Sequence, residues 1–172
     1  VVREFILAQG VDVLPELIQG FGYAPYYSQE ILFSFVKQLS YSALTELELH
    51  LNHSNRSIAQ RSMYCVYKIG GPEAEGILIR ALANERFQKH ALVFLGFMKC
   101  EASLPHLISA FENPKLRFYI LNAFHDIGEE LCYPFIIQTI HDEEGQTQIM
   151  AERIAMKIGE PILDYILDFI ES

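Results

Sequence analysis

Tryptophan is absent from this chain, cysteine occurs three times, and Lys and Arg together number 13 against 22 Asp and Glu. Each shortage removes a class of function. A formal charge of −9 has the wrong sign for a domain that works by neutralising phosphates, so nucleic-acid binding is not expected. Cys65, Cys100 and Cys132 form no CxxC and have no His at zinc-finger spacing, which points to free thiols in a reducing, cytoplasmic compartment. Apolar stretches such as 31–36, broken by Ser34, fall short of the ~18–20 residues that span a bilayer. The opening Val1-Val2-Arg3-Glu4 has neither the basic flank nor the small-residue cleavage site of a signal peptide. A start at Val leads us to expect a portion of a longer protein. There is also no Gly-rich phosphate loop, nucleophile elbow or Ser-His-Asp grouping, so no catalytic residue and no cofactor is expected.

What is present is apolar and periodic. Of 172 residues, 51% are apolar, 12% aromatic and 20% charged, far from the composition of a disordered chain. A single domain of this length buries roughly 70% of its unfolded surface without disulfide or metal. Leu14-Pro15-Glu16-Leu17-Ile18 is echoed by Leu104-Pro105-His106-Leu107-Ile108, 90 residues on. Filling the interval gives a column Leu17, Leu47, Ile77, Leu107, Ile136 and Ile166, spaced by 30, 30, 30, 29 and 30. On a helix the same face holds the residues three before, one after and four after. Across these four columns, 24 positions in all, only Glu48 is not apolar. They include Leu163, Leu167 and Ile170 of the last unit, which are therefore expected in the core.

A second helix precedes each of these, with expected ends at Leu39, Ile69, Met98, Ile127 and Ile158. The next residues, with Gly10 for the first unit, make a column Gly10, Ser40, Gly70, Lys99, Gly128 and Gly159. Such a position suits a helix stop in the left-handed conformation. Turn residues recur between units as well: Gly22 and Pro25, then Asn52 and Ser54, Asn84, Asn113-Pro114, Asp142 and Gly145. Each unit reads as helix, tight turn, helix, short loop, with a face that only a neighbouring unit can cover. The expected fold is all-α: an α-α superhelix of about five and a half helical hairpins. Their boundaries fall near 1–22, 23–53, 54–84, 85–113, 114–143 and 144–172.

The stretches Ile69-Gly70-Gly71-Pro72-Glu73-Ala74, Ala91-Leu92 with Leu95-Gly96, Ala102-Ser103-Leu104-Pro105-His106-Leu107-Ile108 and Ile158-Gly159-Glu160-Pro161 resemble the HEAT-like repeats of the phycobilisome-lyase type. The resemblance spans essentially the whole chain and implies the solenoid fold. For function it implies several classes: scaffolds, bilin lyases and chaperones, an iron-dependent peptide hydroxylase, and DNA glycosylases. The hydroxylases carry repeated His-Glu pairs, whereas here His90 precedes Ala91 and the His-acid pairs are His125-Asp126 and His141-Asp142. The glycosylases use a basic groove with Trp, which this chain lacks.

In such solenoids the second helices line the concave face, so their non-core positions are the candidate contact residues. Glu46, Leu49 and His50, then Ile79 and Arg80, His106, Phe135 and Tyr165 occupy those positions. Large apolar groups beside polar ones at places expected to face solvent suit a protein or peptide. Tyr23, Tyr26 and Tyr27, in the loop 20–28, offer a second edge of interface-forming rings. His50 and His53 are three apart, but Asn52 and Ser54 end the helix there and no third ligand is evident, so no metal site is expected. Arg56, Arg61, Arg86, Lys89, Lys115 and Arg117 recur near the starts of first helices. Pairing with a neighbouring unit's carboxylates is the expectation for them. Residues 126–172 hold 11 acidic and two basic groups, −9, while 1–125 sum to zero. The resulting expectation is a monomeric, non-catalytic protein-binding or scaffolding module. The competing reading is a bilin-lyase-like chromophore chaperone, with nucleic-acid binding through the cationic edge as a third.

Overall fold

Repetition of one hairpin is visible in the element order. A computed structural model describes residues 10–20, 26–142 and 144–171, and among these there is no β-strand. The α-helices are α1 (Leu14–Gly20), α2 (Tyr26–Leu39), α3 (Leu44–His50), α4 (Arg56–Ile69), α5 (Gly71–Ala81) and α6 (Gln88–Phe97). They continue with α7 (Leu104–Ala110), α8 (Pro114–Ile127), α9 (Tyr133–Asp142), α10 (Gln146–Ile158) and α11 (Leu163–Glu171). Helices α2, α4, α8 and α10 end where the spacing predicts; α6 ends at Phe97, one residue before Met98. No described helix is long and apolar enough to cross a membrane.

Short 3₁₀ turns lead into the second helices at Gly10–Val13, Ser40–Ala43, Glu101–Ser103, Glu130–Cys132 and Glu160–Ile162, whereas α5 starts directly at Gly71. At Gly71 φ is 85°, and a Cβ there would lie 2.6 Å from the Tyr41 hydroxyl. The residue after the first helix takes positive φ at Gly70, Lys99, Gly128 and Gly159, as does Gly10. Ser40 departs from this column because α2 runs through Leu39, itself in right-handed helical geometry, straight into its 3₁₀ turn. At Lys99 the backbone adopts φ 53° despite the side chain. There the Lys99 N–H donates to Gly96 O at 2.8 Å and the Cys100 N–H to Leu95 O at 3.1 Å, the paired bonds of a Schellman stop.

The chain divides into two compact units, 1–94 and 95–172, with the boundary inside α6. In unit 1, α2 packs on α4, while α1 packs on α3 and α3 on α5. In unit 2, α8 packs on α10, and α9 on α11. In these pairs first helices meet first helices and second helices meet second, while α1 also packs on α4. Leu17, Leu47 and Ile77 are buried in unit 1, and Leu107 and Ile136 in unit 2. Gly96 lets two helices of unit 2 approach: a Cβ on it would stand 2.8 Å from Ala123 Cα on α8.

One expectation about the core is corrected. Leu163, Leu167 and Ile170 are 52%, 57% and 73% exposed, and no residue of α11 is fully buried. An apolar column is buried only between two neighbours, and among the described residues α11 has such a neighbour on one side, α9.

Candidate functional site

The second helices of unit 1 carry Glu46, Leu49 and His50 on α3 and Ile79 and Arg80 on α5. Leu49 projects into solvent at 67% exposure. Ile79 and Glu46 are half-buried. The His50 Nδ1 lies 2.9 Å from the Glu46 carbonyl and 3.4 Å from its carboxylate, and the His50 ring stacks on His53 at 6.0 Å. Arg80 is exposed and paired. Its Nε and Nη2 donate to Glu48 Oε1 at 2.8 and 2.7 Å. That pair explains the one polar residue in the apolar columns: Glu48 is matched by a cation 32 residues later. Beneath it lies a cleft of about 110 Å3 between Leu51, Ile77 and Phe87.

Several side-chain bonds join residues about one period apart in the same way. Asn84 donates to Asn52 at 3.2 Å, Gln60 approaches His90 at 3.2 Å, and Lys157 meets His125 at 2.8 Å. The Arg86 guanidinium donates to the carbonyls of His53 and Ser54 at 3.0 and 3.1 Å. For Arg86 the expected carboxylate is therefore replaced by the preceding loop's carbonyls, the closest acceptors a chain reversal offers. Arg117 likewise donates to Phe111 O at 3.0 Å and lies over the Phe111 ring.

In unit 2, His106 is exposed on α7. Phe135 is not the solvent-facing group the spacing suggests. Its half-buried ring sits 5.3 Å from Phe111 and 5.7 Å from Phe124, because an aromatic of this size reaches back into the hairpin ahead of it. Tyr165 is half-buried, edge-on to Tyr133 at 5.3 Å. It also lines the cleft of about 500 Å3 between α9 and α11, with Pro134, Ile137, Gln138, Asp142, Asp168 and Phe169. The His141 Nδ1 is 2.6 Å from Asp142, and its ring meets Phe169 edge-on. The His141 hydrogen bond first, then that of Gln138, hold the Asp142 carboxyl below its ordinary pKa.

Of the tyrosine edge, Tyr23 lies outside the described residues, as do the side chains of Tyr26 and Tyr27. The backbone of these two forms the first turn of α2 instead of a loop.

Two features of the fold do not follow from the four 30-residue columns. One is the role of Asp142, read as a turn residue but closing α9 on the same stripe as Pro134 and Gln138, eight and four residues earlier. The other is an aromatic row on the first helices of unit 1. Phe33 meets Tyr64 at 4.7 Å, and Tyr67 stacks on Phe94 at 5.0 Å. The Lys68 ammonium lies 5.2 Å above Tyr64, whose hydrogen bond chiefly raises the lysine pKa. Phe33, Tyr64 and Phe94 are spaced by 31 and 30, so a periodic column existed to be read.

Cys65, Cys100 and Cys132 are buried and unbridged. Burial, with Glu129 adding to it, pushes the Cys132 thiol up to about 12, so it stays protonated and a poor nucleophile. Among the described residues no group of three His, Cys, Asp or Glu is arranged to hold a metal. Compared with family models and with curated proteins, the sequence matches none.

Proposed function

We propose that this chain is a non-catalytic binding module, an α-α superhelix of HEAT-like hairpins that offers the surface of its second helices to a protein or peptide. Three observations support the arrangement: the 30-residue apolar columns, the packing of like helices on like, and the side-chain bonds between residues 30–34 apart. One observation carries the binding role. The second helices of unit 2 line an open, mainly apolar groove of about 500 Å3 with carboxylates at its edge. Its size and lining are those of recognition sites generally. Side chains held this way by packing lose little entropy when a partner docks.

The test uses two variants of exposed or half-buried second-helix residues, Leu49→Glu and Tyr165→Ser. Proteins retained from cell extract by the wild-type chain are purified and titrated against all three forms by calorimetry. The expected result is a partner weakened roughly tenfold or more by at least one variant, with unchanged helicity and melting. A partner that binds all three forms equally would remove the second-helix surface from the proposal.

A further inference from the structure

The cleft between α9 and α11 has a particular distribution of charge, and resting on the binding role above, it defines a ligand. Ile137 is 5% exposed and Phe169 39%, and together they form an apolar floor. Asp142 stands at the C-terminus of α9 and Asp168 on α11, both exposed. Among the described residues no Lys or Arg lines the cleft. The groups facing Asp142 are His141 and Gln138 by hydrogen bond and, at longer range, Arg117. Arg117 has its Nε committed to the Phe111 carbonyl. The remaining cations of 126–172 are Arg153 and Lys157 on α10, and Lys157 is turned to His125. The field over this part of the chain is therefore negative, with −9 in 47 residues, counting 126 through 172.

We propose that the cleft binds an arginine or lysine side chain of a cationic peptide, with its methylene stem on Ile137 and Phe169 and its charged head between Asp142 and Asp168. Long basic side chains are apolar along the stem and charged at the tip, which is the order of surfaces found here. The carboxylates give the head charge-assisted hydrogen bonds, and the rings of Tyr165 and Phe169 attract a cation over their faces. A volume of about 500 Å3 takes one such side chain with adjoining backbone. The acidic surroundings speed encounter with a basic peptide and repel nucleic acid.

The experiment titrates a fluorescein-labelled peptide of alternating Leu and Arg by fluorescence anisotropy. Its control replaces each Arg with citrulline, which keeps the shape and removes the charge. We expect the arginine peptide to bind roughly fivefold or more tightly than the citrulline one. The variant Asp142→Asn/Asp168→Asn should weaken it by roughly five- to tenfold, with wild-type melting. A second variant, Glu152→Gln/Glu160→Gln, removes two exposed charges outside the cleft and should leave binding unchanged. Equal losses in the two double variants indicate a diffuse acidic field and overturn the site. So does equal affinity for the two peptides, or binding of neither. Any of these results leaves the wider binding role to be judged by the Leu49→Glu and Tyr165→Ser titrations.

Discussion

Lys99 shows what a single residue reveals about the repeat. It stands in a column where four of six members are glycine, and it adopts the same left-handed φ without glycine's freedom. A side chain in that region costs about 1 kcal/mol. Lys99→Gly is therefore expected to stabilise the chain by ~0.5–1 kcal/mol, read as a higher urea midpoint. The opposite holds at Gly96, where a methyl group would press on Ala123; Gly96→Ala should destabilise by ~1–3 kcal/mol. His90 gives a pH dependence. Burial first, then the nearby Arg56, hold its pKa below the ordinary 6.5, and its Nδ1 is buried without a hydrogen-bond partner. As pH falls through 6.5, the unfolded chain takes up a proton that the folded chain does not, so stability declines. The melting temperature should drop less between pH ~7.5 and ~5.5 in His90→Gln than in the wild type.

At the scale of elements, helix ends were legible in the sequence and their 3₁₀ lead-ins were not. A helix end is marked by composition, as at Asn113, whose side chain accepts from the Lys115 N–H at 3.1 Å and caps α8. A three-residue 3₁₀ turn has no period to detect. Nor did the columns distinguish a face that has a neighbour from one that lacks it. Leu107 is fully buried, and Leu107→Ala should cost ~2–5 kcal/mol. Leu167 and Ile170 occupy equivalent columns but are exposed, so Leu167→Ser/Ile170→Ser should shift stability by less than about 1 kcal/mol, measured by chemical denaturation. A loss approaching that of Leu107→Ala would show that α11 is covered in solution.

Among the described residues, the stabilising interactions are apolar packing, hydrogen bonds and ion pairs such as Arg80–Glu48, with no disulfide among the three cysteines. Urea unfolding is expected to give the same midpoint with and without dithiothreitol. Iodoacetamide at about pH 8 should label the three buried cysteines only after unfolding, and at Cys65 and Cys132 burial also raises the thiol pKa. Rapid labelling of the native chain would show that one of the three is accessible.

The sequence by itself determined the hairpin repeat, most of the first-helix ends and the apolar columns of the inner units, because a period of 3.6 within helices and of 30 between them constrains those positions together. It also determined the acidic balance of residues 126–172. The tertiary structure decided which non-core side chains remain available to a partner. Arg80 is held by Glu48 and Phe135 by Phe111 and Phe124, while Asp142 and Asp168, 26 residues apart, line one cleft. Those outcomes depend on rotamers and on neighbours one repeat away, which a pattern of residue types does not encode.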